Sequence, residues 1–201
     1  MAPSATLNPS RINQARLAGI DTAMPPAPSA GPWPTEVLLF TQMPVTEALT
    51  RQREAAGRMR EGTAPGHRLL LTEHPPTFAC PEPADGLPDG WTRLDDADLD
   101  PDECFVPGMM LAWLTVHLGH WPDGPAASLD GLREAAGSLL LRVLKDFGID
   151  AGWSADGRAL LAGERPIAWV RLRADGEIAL GRLALNINAD PQTLAKIHAE
   201  D

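Results

Sequence analysis

The sequence predicts an α+β fold, a mostly antiparallel mixed β-sheet with helices packed on it. Three observations carry that prediction. Residues 159–162, 167–172 and 178–187 are consecutive apolar runs. They are broken by Gly163-Glu164-Arg165 and by Ala174-Asp175-Gly176, and an Asp-Gly pair between alternating runs signals a tight hairpin. Two further stretches, 46–60 and 129–147, place apolar residues at helical spacing.

Taken in chain order, residues 1–34 read as a tail. Pro25, Pro26, Pro28, Pro32 and Pro34, mixed with Ala, Ser and Gly, cannot build a core. A short helix at 11–19, stopped by Gly19, competes there with disorder. Residues 35–201 are expected to form the single domain. Val37 to Phe40 is a short buried strand. The helix at 46–60 follows, with Val45, Leu49, Ala56 and Met59 toward the core and Arg51, Arg53, Glu54 and Arg58 in solvent.

Leu69, Leu70 and Leu71 form a central strand running into Glu73-His74-Pro75-Pro76, a rigid loop. Glu73 and His74 stand at a strand's end, where sites are often built; the alternative is a pair that braces the loop. Residues 81–101 are rich in Asp, Gly and Pro and read as loop, with at most a short strand at 91–94. Pro107-Gly108 turns into a strand at 109–118.

Ser128 caps the helix at 129–147 and Gly148 stops it. Its expected core stripe is Leu132, Ala135, Ala136, Leu139, Leu140, Val143, Leu144 and Phe147. In the strand at 167–172, Ile167, Trp169, Arg171 and Arg173 share one face. Asn186 and Asn188 end the most apolar run, where strand propensity disfavours Asn; each either serves a site or bonds local backbone. A last short helix is expected at 191–197.

Composition bounds the function. The chain has 201 residues, 44% of them apolar, enough for a core. It lacks the roughly 18 consecutive apolar residues of a membrane span, and no basic-then-apolar leader is present, so the cytoplasm is the expected compartment. A net charge of −10 without a basic stripe argues against nucleic acid. Cys80 and Cys104 lack metal-ligand spacing, and a disulfide framework is not expected. His117 and His120 are three apart but have no further ligands beside them, so neither a metal nor another cofactor is expected.

Together these pieces resemble one family, the lipoyl(octanoyl) transferases of the biotin/lipoate ligase-like fold. Those enzymes move octanoyl from acyl carrier protein onto lipoyl domains. LLLTEHPPTF (69–78) resembles the family's Glu-His-x-Pro strand and loop. Pro107-Gly108 resembles its His-Gly-Pro-Gly-Gln turn, and LLRVLKDFGIDA (140–151) its long helix ending in Phe/Leu-Gly-Ile. Gly163 to Ala168 resembles its Gly-x-Lys-Ile-Ala strand, Leu183 to Asn188 its Leu-Ala-Leu-Asn-Val-Asn strand, and Ile197 the Ile before its Pro-Cys-Gly loop. The resemblance covers residues 36–201, and the family continues beyond that point.

The resemblance implies departures as well. The family's catalytic lysine falls on Pro166 and its nucleophilic cysteine on Glu200. Its Arg-Gly-Gly loop and following histidine fall on 98–105, with Phe105 at the histidine. Trp169, Arg171 and Arg182 fall where small residues leave room for an acyl chain. A carboxylate cannot replace a thiolate that must form a thioester. The reading that follows is a pseudoenzyme of this family, lacking lysine–cysteine octanoyl transfer, that binds an acyl carrier protein or lipoyl domain. Glu73, His74, Trp169, Arg171, Arg182, Leu183, Ala184 and Asn186 are then the candidate contacts. The alternative is an active acyltransferase that uses Cys104 and His74 as an activated nucleophile pair. A third reading is a ligand-binding or regulatory module unrelated to lipoate.

Overall fold

The structure is a computed structural model that describes residues 35–63, 66–80, 87, 89–101, 103–120 and 128–189. The tail at 1–34, the helices expected at 11–19 and 191–197, Ile197 and Glu200 lie outside the described residues.

Each expected element in the described range forms, but the first strand is not buried as expected: it lies at the sheet edge with Val37 58% and Leu39 74% exposed. β1 (Glu36–Gln42) leads into α1 (Val45–Arg60) and then β2 (Arg68–Glu73). β1 and β2 are parallel, so the helix between them serves as the crossover that parallel neighbours require. β3 (Thr77–Ala79), β4 (Thr92–Leu94) and β5 (Cys104–Phe105) are short. β6 (Met109–His117) and α2 (Leu129–Asp146) follow, then β7 (Gly152–Trp153), β8 (Ala159–Ala162), β9 (Arg165–Asp175) and β10 (Ile178–Asn186).

The main sheet runs β1-β2-β6-β10-β9-β8-β7. Apart from β1 and β2, every neighbouring pair in it is antiparallel. The β9–β10 hairpin closes on Gly176-Glu177, with Gly176 at φ +63 where a side chain is disfavoured. A second sheet, β4-β3-β5, includes the short strand allowed at 91–94 as β4, but its pairing with β3 and β5 was not foreseen. Strands of two or three residues carry too little alternation for their pairing to be read.

Pairing register sorts side chains onto two faces. On one face Leu70, Trp113, Arg182 and Arg171 form a cross-strand row. Thr72, Leu111, Ala184 and Trp169 form the next row. This face carries the inner side of α1, where Val45, Leu49, Ala56 and Met59 are buried as expected, and the small sheet through Ala79 and Phe105. The opposite face carries α2. Leu132 packs on Val116 and Ala179, Ala136 on Val170 and Leu183, and Leu144 on Leu160 and Ala168.

One expectation about α2 is corrected. Leu139 is 49% and Phe147 67% exposed, and Ala135 is exposed too. The stripe was drawn too wide. A Cβ on Gly137 would stand 1.8 Å from the Trp153 ring, so the ring takes that flank of the helix. Leu132, Ala136, Leu140 and Leu144 then face the sheet, and the row 135, 139, 147 turns outward. Among the described residues no helix is long and apolar enough to cross a membrane.

Candidate functional site

The candidate residues converge where β6, β10 and β9 pass beneath the small sheet and the acidic loop before β5. His74, just after β2, is fully buried. Its Nδ1–H donates to the Met43 carbonyl at 2.6 Å, and the Trp113 indole N–H donates to its Nε2 at 2.9 Å. Those two bonds assign a neutral ring with its proton on Nδ1. Burial pushes its pKa down to about 4, while the Met43 bond favours the charged ring.

The ring stands edge-on to Phe105 and Trp113, with centroids at 5.5 and 5.6 Å. Phe105 stacks on Trp113 at 6.4 Å and meets Trp169 edge-on at 6.5 Å. Four rings therefore pack together on this face. His74 braces the loop as the second reading of the Glu73-His74 pair had it, but through Met43 and Trp113 rather than Glu73. The Glu73 backbone carbonyl accepts from the Met43 N–H at 3.0 Å.

Arg182 lies beside the rings, 5% exposed. Its Nε and Nη2 donate to the two Glu103 oxygens at 2.8 Å each, and its Nη1 to the Asp98 carbonyl at 2.8 Å. Its guanidinium sits 5.7 Å from the centre of the Trp113 ring. Burial raises the Glu103 carboxyl above its ordinary pKa, and Arg182 pulls it back down. A bidentate, fully bonded pair of this kind is retained as an ion pair.

Three more arginines fasten the loop. Arg53 of α1 bonds Asp98 at 2.7 Å and also holds Asp96. Arg173 bonds Asp98 at 2.7 Å, and Arg171 bonds Asp100 at 3.1 Å. Asp96, Asp98, Asp100 and Glu103 are thus each matched to an arginine from the sheet or α1. Arg171 also lies 5.9 Å from the centre of the Trp169 ring. Sequence reasoning took this stretch as plain loop. The available signal was its alternate acids set against the alternate arginines 171 and 173.

The remaining candidates separate. Ala184 is buried on the site face. Leu183 packs against Ala136 and Val170 on the opposite face, away from the site. Asn186 Oδ1 accepts the Ala189 N–H at 3.0 Å, the local backbone role rather than the site role. The Gly108 carbonyl accepts the N–H groups of Ile187 and Asn188, at 3.1 and 2.9 Å. Gly108 has φ +83, and a Cβ there would stand 2.5 Å from the Asn188 carbonyl, so this turn demands glycine.

Pro166 sits at the register shift between β8 and β9, a strand position that tolerates a missing N–H. No hydrogen bond joins Cys104 to His74, and burial pushes the Cys104 thiol up to about 12, so it stays protonated at neutral pH. Among the described residues no group of three His, Cys, Asp or Glu side chains is placed to hold a metal. A cleft of about 470 Å³ opens between the acidic loop and β9, lined by Asp98, Asp100, Arg171 and Arg173 among others.

No family model matches the sequence, and no curated protein matches it. Solved structures do match the fold. A putative lipoate protein ligase from T. acidophilum aligns with a TM-score of 0.60 at 15% identity, over 81% of this chain and 72% of that one. LipL1 from P. falciparum, in complex with lipoate, aligns at 0.57 and 10% identity, over 81% of this chain and 50% of that one. An archaeal bi-partite lipoate protein ligase studied with its E2 lipoyl domain aligns at 0.56 and 14%, over 81% and 65%. This chain spans half the length of the P. falciparum protein. The fold is therefore lipoate/biotin ligase-like.

Proposed function

We propose that this chain is a divergent lipoyl(octanoyl) transferase-like protein, a pseudoenzyme, that no longer transfers octanoyl through a lysine–cysteine pair and instead binds a lipoyl domain or an acyl carrier protein. One observation carries the reading. The face where an acyl chain would lie is filled by Phe105, Trp113 and Trp169 and by the buried Arg182–Glu103 pair. Opening it would break a bidentate ion pair and unstack aromatic rings. Pro166, at the position that matches the family's lysine, carries no amine to steady an oxyanion.

The alternative pair has little to work with. A general base needs a free acceptor nitrogen, and both His74 nitrogens are taken. Its nucleophile would need a thiolate, and the Cys104 thiol is held far on the protonated side.

The partner half of the reading draws on the lipoate ligase studied with its E2 lipoyl domain. It is tested by titrating a lipoyl domain and an acyl carrier protein separately into the full-length chain, read by calorimetry. Saturable binding of either is the expected result. If neither binds, the chain is not a carrier-binding protein and the third reading, a module unrelated to lipoate, takes its place.

A further inference from the structure

We infer that the free edge of β1 is where this chain pairs with a second copy of itself, antiparallel, about a two-fold axis at Leu38. The contact needs neither a lipoyl group nor a carrier, so this inference stands apart from the function proposed above.

The backbone opens the edge. β1 ends the main sheet, and among the described residues nothing pairs with its outer side. The Glu36 N–H donates inward, to the His67 carbonyl at 2.8 Å. Backbone groups alternate direction along a strand, so those of Leu38 also point to β2, and the N–H and C=O of Val37 and Leu39 point out. The side chains of the same two residues are exposed. They extend the rows Leu69–Leu114 and Leu71–Ala112 on the side of the sheet that carries α2, yet none of the apolar clusters under α2 reaches β1. A register shift between Leu39 and Gln42 ends the regular edge. An edge left open is usually guarded by lysine or proline, and β1 has neither.

The strand itself chooses the occupant. Val37 and Leu39 call for apolar side chains opposite them, and antiparallel pairing about Leu38 supplies these. Val37 of each copy meets Leu39 of the other, and each such pair exchanges both backbone bonds. The contact is isologous, so it satisfies both edges at once and closes. Charge fixes the direction. On the α1 side of the sheet Glu36 stands at the start of β1, beside Arg58 and Met59, while Arg51 lies 4.9 Å from the centre of the Phe40 ring near its end. Antiparallel pairing sets Glu36 opposite Phe40 of the second copy, and so beside its Arg51. Parallel pairing would set like charges together. Glu36 keeps Arg68 and Arg51 keeps Glu47 within each chain, so this contact orients the copies more than it holds them.

The chain's own tail is a poor competitor for the edge. A segment folding back along β1 would come from the residues just before it. There Pro25, Pro26, Pro28, Pro32 and Pro34 lack the N–H that a ladder needs.

The test is sedimentation of the full-length protein from about 1 to 500 µM, the range that a small interface requires. The inference expects a monomer–dimer equilibrium, with slower amide hydrogen exchange at Val37 and Leu39 at high concentration than at low. Leu39→Lys puts a charge at an exposed edge position and should weaken association by about tenfold or more, with a melting curve to confirm that it folds. Leu38→Cys reads the register. At the two-fold axis its Cβ and that of its copy lie about 4.5–5.5 Å apart. Diamide should therefore link two copies through Leu38→Cys but not through Gln42→Cys, which the same register holds far from its mate, each compared with the unaltered chain. A protein that is monomeric at every concentration would overturn the inference. So would a dimer that Leu39→Lys leaves intact, one that Leu38→Cys does not link, or one that Gln42→Cys links equally well. Slow exchange at Val37 and Leu39 at every concentration would overturn it too, since the tail or another part of the chain would then cover the edge.

Discussion

The two faces of the main sheet are covered in different ways. Under α2 the contacts are aliphatic, Leu132, Ala136 and Leu144 against Val116, Val170, Leu183 and Leu160. Under the acidic loop the sheet offers Trp113, Trp169, Arg171, Arg173 and Arg182, and the cover answers with Phe105 and four acids. Aliphatic packing is non-directional and is satisfied by shape. The loop side depends on bonds of fixed geometry, each of which leaves a buried polar group stranded if its partner is lost. A face built for stability alone has no need of that. The loop side is therefore closed by specific, polar contacts, where the α2 side is closed by shape.

The largest expected effect separates the two modes. Glu103→Ala leaves Arg182 buried without its carboxylate and should cost about 3–5 kcal/mol by urea denaturation. Replacing both, Glu103→Leu with Arg182→Met, should recover most of that loss. If the single change costs no more than the double, the pair is not what closes this side.

On the α2 side, Leu144→Ala should cost about 2–5 kcal/mol through the cavity it leaves, with no second substitution needed to interpret it. A cost near zero would mean that α2 does not seal this face.

pH distinguishes the faces next, since the loop side buries the His74 imidazole. Burial pushes the folded pKa of His74 down to about 4, below the ordinary imidazole value of 6.5. Between those values the unfolded chain binds a proton that the folded chain refuses, so stability is full above the unfolded value and falls as the pH drops toward the folded one. The contribution at stake is about 3 kcal/mol. The slope of stability against pH over that window should flatten in His74→Gln. An equal slope in both proteins would remove His74 from the account.

Leu139→Ala belongs at the bottom of the scale. The residue is half-exposed, and the cost should be below about 0.5 kcal/mol, the ordinary range for surface positions. A larger loss would mean that something covers the outer row of α2 in solution. Deleting residues 1–34 should likewise shift the melting temperature by less than about 5 °C.

The same contrast explains what could be read in advance. Local patterns were sufficient for α1, α2, the β9–β10 hairpin and the shared face of Trp169, Arg171 and Arg173, because each is set within a few residues. The local role of Asn186 was visible as one of two readings for the same reason. Of the small sheet only β4 was foreseen, as the short strand at 91–94; its pairing was missed because its strands are shorter than the period that betrays a strand. The arginine–acid closure was missed because its partners lie far apart in sequence, as Arg182 does from Glu103. The excess width assigned to the α2 stripe came from treating every apolar residue on a helix as core, when Trp153 against Gly137 decides which flank is buried. His74 was expected at a site or as a brace of its loop, and only the geometry reveals that Met43 and Trp113 consume both of its nitrogens.

The central proposal is that this chain, closed on its loop side, binds a carrier without transferring octanoyl. Its most direct test is intact mass spectrometry of the unmodified full-length protein and a lipoyl domain after incubation with octanoyl acyl carrier protein. The account predicts that both masses stay unchanged. An octanoyl adduct on this chain, passed to the lipoyl domain and abolished by Cys104→Ala, would contradict it and establish the acyltransferase reading instead.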